Sequence, residues 1–441
     1  MILIYTPKTS NRIHYAIKFV IRHICCFDYT VTTSGEEFLN FKGAKINYSH
    51  KDFPVDCVKI IPSDFLLQKG IKDFIPSVEI KDPIPILFPN PEQTPCDLGY
   101  DIFSSAFYLT SRYEEYLPFL EDRHGRFEAD QSLAYQNGFL EKPVIDIYAQ
   151  QLKEILVSKF SFLEIPPKQY TYIPTYDIDI AYAYKGKGIS RNILAFTKDI
   201  LNLKFKNLVK RIRVLTNKEK DPFNTYEFQL NIQKTYNLKP IYFFLAAEYG
   251  PLDKNISTQS RFFEVLLKTL GDYAETGVHP SFASNYKVKL LKKEIEIVSN
   301  ILNNPIKNSR QHFLKLHFPQ TYEQLIKHNI YKDYTMGYAS HVGFRAGTCT
   351  PFYFFNLATE SETRLKVFPF AVMDGTLKDY MKLSNQDSLQ LIKELIDEVK
   401  NVNGTFISLW HNESLCECDK WLGWRSLYSQ MVEYAVANNN Q

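Results

Sequence analysis

The chain has 441 residues, 45% of them hydrophobic and 23% charged, with 33 Phe and 29 Tyr. That is enough for about two or three domains of ordinary size and excludes a disordered or fibrous chain. The net charge of +3 excludes general nucleic-acid binding, and charges break every apolar run before the ~20 residues that a membrane span needs. The opening Met1-Ile2-Leu3-Ile4-Tyr5-Thr6-Pro7 lacks the basic lead and small-residue exit of a secretory signal, so a cytoplasmic protein is expected. Seven cysteines, an odd number, make no disulfide framework in a chain this long, which fits a reducing compartment. Cys416 and Cys418 form a C-x-C that suits a soft metal, but no second pair stands at zinc-ribbon spacing.

The first 165 residues mix short strand candidates and helices, with turn signals at Asp82-Pro83-Ile84-Pro85 and Phe88-Pro89-Asn90-Pro91. Residues 101–116 read as a helix with Phe103, Phe107, Tyr108 and Leu109 on its apolar side, and residues 152–160 as another. Two prolines after Glu164-Ile165 mark a boundary, giving an N-terminal module over 1–165 and a second domain over 166–441. Strands and helices then alternate. A strand is expected over 170–180, a long helical stretch over 189–215, and an almost wholly apolar strand, buried on both faces, over 240–247. Phe262, Val265, Leu266 and Leu270 have helical spacing ahead of a short strand over 276–279. Leu291, Ile295, Val298 and Leu302 repeat likewise, and Pro305 ends that helix before a strand leading to His312. A helix over 321–328 follows, then one carrying Leu389, Ile392, Ile396 and Val399, which Asn403-Gly404 stops ahead of the strand 405–410. Such alternation defines an α/β layer or barrel with parallel strands, whose chemistry gathers at the C-terminal strand ends.

Polar residues at those ends are therefore the candidates. Asp177 and Asp179, two apart on a strand, point the same way. Two like charges in a cleft need a cation or a shared proton, and one carboxylate on a metal leaves the other as a base; the alternative is a pair of turn caps. His279 follows a strand and reads either as a ligand or as a hydrogen-bonded structural residue. His411 ends the last strand, where an imidazole can protonate a leaving amine. Arg310 and Arg345, also assigned to strand ends, are candidates for orienting Asp177, with an ordinary ion pair as the alternative. Asp374 is a further candidate of that kind. Arg310, Tyr176, Trp410 and Asp374 are expected on the substrate side of the rim.

This ordered set, Asp-x-Asp on the first strand, His-x-Ser on the third, an Arg-bearing strand end and an apolar strand ending in His, resembles the polysaccharide deacetylase (NodB-homology, carbohydrate esterase) family over about residues 170–441. The N-terminal part resembles the uncharacterised module that precedes such domains in some bacterial envelope-polysaccharide loci. The resemblance implies a distorted (β/α) barrel after a smaller α/β domain, and metal-dependent removal of an N-acetyl group from an amino sugar. It makes Asp177 the base, Asp179 and His279 metal ligands, and His411 the general acid, with Arg345 in the catalytic set. The family's second motif, His-[Ser/Thr]-x-x-His, is incomplete: Pro280 follows the first His, and Ala283 stands where the second belongs. His312 is the first candidate for the missing ligand, ahead of Ser284 and Asp374. Zinc is the expected ion, although an Asp/His set also suits cobalt, nickel or iron.

From Lys185 to Lys220 the sequence carries eleven Lys/Arg against Asp199 and Glu219, with Leu194, Ile200, Leu203, Leu208, Ile212 and Leu215 between the charges. Such a basic amphipathic stretch is either a helix covering the barrel with a solvated charged face or a peripheral contact with anionic lipid on the cytoplasmic side. Lys185-Gly186-Lys187-Gly188 is a phosphate-contact candidate without Walker spacing. Two competing readings stand beside the deacetylase: a non-catalytic carbohydrate-binding protein on a degenerate barrel, and a two-carboxylate glycosidase for which the sequence offers no clear second acid.

Overall fold

The computed structural model describes residues 1–81, 84–91 and 95–437, so the turn expected at Asp82-Pro83 and the last four residues lie outside it. Four short strands, β1 (Ile2–Tyr5), β2 (Tyr29–Thr32), β3 (Ala44–Tyr48) and β4 (Val58–Ile60), form a parallel sheet in the order β2-β1-β3-β4. Every residue of β1 and β3 is buried, which is why β1 reads as a continuous apolar run rather than an alternating one. A hairpin of β5 (Val78–Lys81) and β6 (Ile84–Leu87) follows. The helix expected over 101–116 covers Ile102–Thr110, and Tyr113–Tyr116 makes a separate 3₁₀ turn. Asp101 caps its start, accepting from the Phe103 and Ser104 amides at 3.1 and 3.0 Å. Arg112, in a left-handed conformation at φ 55°, ends it. The helix expected over 152–160 is the second half of Val144–Lys159.

The second sheet has nine strands: β7 (Thr171–Ile178), β8 (Ile241–Phe244), β9 (Glu275–Val278), β10 (Asn308–Ser309), β11 (Lys332–Asp333), β12 (Phe352–Asn356), β13 (Ser361–Val367), β14 (Val372–Met373) and β15 (Thr405–His411). The order is β12-β13-β11-β10-β9-β8-β7-β15-β14, parallel throughout except for the β12–β13 pair. Strand pairing therefore traces an α/β sheet with an open strand order; the distorted barrel expected from sequence is not shown by the pairing. Its two sides are linked by one chain run, β13 to β14. Phe368 and Phe370 donate their amides to the Asp333 and Met336 carbonyls at 2.8 and 3.1 Å, and Ala371 donates to Ile407 at 3.0 Å.

Alternation divides the side chains of this sheet between two cores. Ile173, Ile241, Phe243, Phe370, Met373, Ile407 and Leu409 pack together on the inner face. Tyr176, Ile178, Tyr242, Phe244, Phe406 and Trp410 join a larger outer cluster that runs continuously into the N-terminal segment, through Ile4, Phe107 and Leu152. Ion pairs and hydrogen bonds cross the same boundary: Arg12 pairs with Glu360, and Asp146 accepts from the Thr348 hydroxyl at 2.6 Å and the Cys349 amide at 3.1 Å. The segment 1–165 and the sheet thus share one apolar interior.

The stretch 189–215 is two helices, Gly188–Leu201 and Phe205–Leu215, separated at Leu203, whose φ is 55°. Gly343-Phe344-Arg345 lies in the loop between β11 and β12 and not at a strand end. Gly343 takes φ 114°, and an added Cβ would meet the Leu140 carbonyl oxygen, so only glycine suits that turn. Cys416 and Cys418 are joined as a disulfide, which leaves no thiolate pair for a metal. No helix among the described residues is long and apolar enough to cross a membrane.

Candidate metal centre

β7, β9, β10 and β15 end on one side of the nine-stranded sheet and bring five predicted residues together. Asp177 occupies the inner face of β7, in register with His411 on β15. Asp179 follows two residues later, His279 one residue after β9, and His312 three residues after β10. The carboxylate of Asp179 sits between three imidazoles. Its Oδ1 lies 3.1 Å from His279 Nε2, and its Oδ2 lies 3.4 Å from His312 Nε2 and 3.6 Å from His411 Nε2. Ligand atoms of Asp179, His279 and His312 all fall within 4.8 Å of one another. Asp177 Oδ2 is 3.7 Å from His279 Nε2.

Each imidazole is held from behind. His279 Nδ1 meets the Arg310 carbonyl at 2.5 Å, His312 Nδ1 meets Asp253 Oδ1 at 2.8 Å, and His411 Nδ1 meets Asp374 Oδ1 at 2.7 Å. A carbonyl or carboxylate at Nδ1 fixes the proton there and turns Nε2 toward the centre, the arrangement of metal-bound histidines. The consequence for His279 is specific. With its proton given to Arg310, it presents a lone pair at 3.1 Å to Asp179 Oδ1, a buried oxygen with no other hydrogen-bond partner. Two acceptors that close are relieved by a cation or a proton between them. The donor set of one carboxylate and two or three imidazoles fits a divalent transition metal, zinc in the first place.

The titration of the centre follows from its charges. Burial opposes the ionised form of Asp179, but the neighbouring His312 and His279 outweigh it and hold the carboxyl well below the usual range. Burial likewise opposes a charged His312, while Asp179 and Asp253 push it up to about 9. His411 is also disfavoured as a cation by burial, yet Asp374, with Asp179 and Asp177 behind it, raises it well above the ordinary value. His312 thus carries a proton against Asp179 and Asp253, and as a ligand it would give that proton up to a metal.

The remaining candidates separate cleanly. Arg310, fully buried, donates from Nη1 to Asp177 Oδ1 at 3.0 Å and to Thr175 Oγ1 at 2.7 Å, and from Nε to the Tyr334 carbonyl at 2.9 Å. Its guanidinium lies over the Phe243 ring at 4.7 Å. It fixes Asp177 from below and is not placed to touch a substrate. Asp374 is buried too, accepting from His411 Nδ1 and from the His411 amide at 2.7 Å, so it orients His411 and is neither a substrate contact nor a replacement ligand. Tyr176 and Trp410 are out of phase with Asp177 and His411. Alternation sends them to the outer core, where Tyr176 bonds Tyr428 and stacks on Tyr242, and Trp410 packs on Trp424 and Tyr428. Arg345 is not at the centre: it donates to Glu115 Oε1 and Oε2 at 2.9 and 2.5 Å. Ser284 spends its hydroxyl on the Ser281 carbonyl.

Sequence reasoning missed Asp253. Besides His312, it accepts from the Phe282 and Ala283 amides at 2.9 and 3.3 Å. Position 283, where the resembled family has its second histidine, therefore contributes a backbone N–H to the carboxylate that holds His312. The available signal was its place in the loop after the apolar strand 241–244. Glu294 was also missed; it accepts from the Ser281 amide at 2.9 Å and hydroxyl at 2.5 Å, on the turn after His279. Burial pushes it from 4.5 up to about 7 against those two hydrogen bonds. Its folded pKa lies above its unfolded one, so its favourable contribution is complete below pH 4.5 and is lost as the pH rises through about 7. Urea unfolding of Glu294→Gln against the parent is expected to remove a pH-dependent loss of about 3 kcal/mol between pH 5 and 8. An unchanged difference between the two across that window counts against a neutral Glu294.

A family of unknown function (DUF7033) matches residues 2–161. A search of curated proteins finds no match. Among solved structures, the chain is similar to a protein described as a polysaccharide deacetylase from Mycobacterium smegmatis, with 9% identity over 63% of this chain and 88% of that one and a TM-score of 0.40. It is similar to the polysaccharide deacetylase Bc1974 from Bacillus cereus, with 12% identity over 60% and 88% and a TM-score of 0.29. BA3943 from Bacillus anthracis, a CE4 family pseudoenzyme, matches with 11% identity over 61% and 62% and a TM-score of 0.28. The likeness is one of fold at most, and at these scores it says nothing of what the site does.

Proposed function

We propose that the chain is a metal-dependent hydrolase that removes the N-acetyl group from an amino sugar of a bacterial envelope polysaccharide or its precursor. The observation that carries this reading is the convergence of ligand atoms of Asp179, His279 and His312 within 4.8 Å, beside the register pair Asp177 and His411. Asp179, His279 and His312 would hold the ion. A divalent cation bound there supplies Lewis-acid polarisation of the acetamide carbonyl and makes a water more acidic. Asp177 Oδ2 takes the proton from the attacking water, while Oδ1 stays paired with Arg310, which keeps the carboxylate in place. His411, protonated at Nε2 and held at Nδ1 by Asp374, gives its proton to the departing amine. The two proton carriers are register partners on adjacent parallel strands, so their side chains project from the same face of the sheet.

The direct test is acetate release from N-acetylated amino-sugar oligosaccharides by zinc-loaded protein, with loss on chelation and recovery on adding the metal back. Sugar binding with no acetate and no metal requirement would favour the second reading, a carbohydrate-binding protein. That alternative draws on one specific observation: the family's second histidine is absent at Ala283. His312→Ala decides between a replaced ligand and a lost one. About one equivalent of metal in the parent and a reduction of tenfold or more in affinity in the variant are expected, measured by metal titration of the apo protein. Equal affinity would exclude His312 from the centre.

A further inference from the structure

The two helices inserted between β7 and β8 expose the wrong face for a pair of helices that cover a sheet. Gly188–Leu201 has no buried residue, and Phe205–Leu215 has two, Arg211 and Val214. Ile189, Ile193, Phe196 and Ile200 recur at three to four residues and form one stripe; Phe205, Val209 and Ile212 form another. Ile189, Leu194, Leu201 and Leu203 are 81, 70, 78 and 74% exposed. Beside the first helix runs a shallow groove of about 680 Å³ with Ile193, Phe196, Leu215 and Phe262 among its lining. Isolated exposed leucines need no explanation, but a contiguous apolar stripe on two adjacent helices marks a binding surface.

The apolar stripe is nonetheless built into the fold. Arg211 is buried between the two helices, where it donates to Asp199 Oδ2 at 2.8 Å and lies over the Tyr184 ring at 4.9 Å. Arg191 donates to the Asn255 carbonyl at 3.0 Å and covers the Tyr249 ring. Asp221 accepts from the Ala183, Tyr184 and Lys185 amides and closes the base of the insertion. The pair is thus held in place while its greasy side stays bare.

Charge selects the occupant. Lys198, Lys204, Lys206, Lys210 and Lys218 pair with no acidic side chain among the described residues, and the whole segment carries eleven basic against two acidic groups. A second copy of this surface would repel, since it would face its own cations. A large apolar stripe rimmed by unpaired lysines matches an anionic lipid surface, into which the apolar side chains sink while the lysines meet the headgroups. We infer that helices 188–201 and 205–215 form a docking element that seats this protein on an anionic bilayer. The insertion begins nine residues after Asp179, in the loop that follows β7. The docking itself does not depend on the hydrolase reading.

The test is co-sedimentation of the full chain with vesicles of phosphatidylcholine alone or with phosphatidylglycerol. Binding is expected only to the anionic vesicles, weakening with salt, and falling by about tenfold or more in Leu201→Ser/Phe205→Ser and in Lys206→Glu/Lys210→Glu. An unchanged circular dichroism spectrum and urea midpoint in both variants show that they remain folded. Absence of binding to anionic vesicles, or equal binding by both variants, overturns the inference. So does a concentration-dependent dimer that the apolar variant abolishes, since the face would then belong to a second copy.

Discussion

Asp179→Ala is expected to abolish both metal binding and acetate release, whereas Asp177→Asn is expected to keep the metal and lose about 10² to 10⁴ in kcat. The two carboxylates are two residues apart, Asp177 on β7 and Asp179 just past its end, yet the structure gives them different neighbours. Asp179 is surrounded by Nε2 atoms at 3.1, 3.4 and 3.6 Å, with one oxygen otherwise unpartnered. Asp177 spends one oxygen on Arg310 and points the other at the centre. Removing Asp179 takes away the only negative ligand of the cluster, while Asp177→Asn leaves every ligand but no group able to accept a proton. Metal titration and steady-state acetate release on the same preparations read both effects. Loss of metal in Asp177→Asn, or full activity in Asp179→Ala, would reverse the assignment.

Arg345→Met is expected to cost about 3 kcal/mol of stability and to leave metal affinity unchanged. Arg345 pairs with both oxygens of Glu115, Arg112 donates to Glu115 at 2.8 Å and to Glu114 at 2.7 Å, and all four side chains are buried. Burial opposes ionised Glu115, but Arg345 and Arg112 outweigh it and hold its carboxyl below the usual value. Truncating Arg345 removes one of the two cations that make that carboxylate tolerable in an apolar surrounding. Denaturant unfolding measures the loss. A stable Arg345→Met with no metal would return Arg345 to the centre.

The contrast between these two residues explains what could be read from sequence. Asp177, Asp179 and His411 were legible because strand periodicity alone puts them at the C-terminal ends of strands, on one face. The same periodicity applied one residue further would have removed Tyr176 and Trp410, which the alternation sends outward. Arg345 was not legible, because its partner Glu115 lies 230 positions away and no local pattern encodes that pairing. Asp253 was passed over because its loop has neither periodicity nor a motif; only its place after β8 speaks for it. The break at Leu203 has no Pro or Gly to announce it, since the turn there is a single left-handed residue. The apolar positions of 189–215 were read correctly as amphipathic, but an apolar face does not say what covers it, and here the protein itself does not.

We propose that His312 completes a metal site with Asp179 and His279 in place of the absent histidine at position 283. Anomalous scattering at the zinc edge, from crystals of the full chain grown with zinc, tests it most directly. One peak about 2 Å from an Asp179 oxygen and from the Nε2 atoms of His279 and His312 is the expected result. No peak at that point, or a peak that leaves His312 bonded to Asp253 alone, would contradict it.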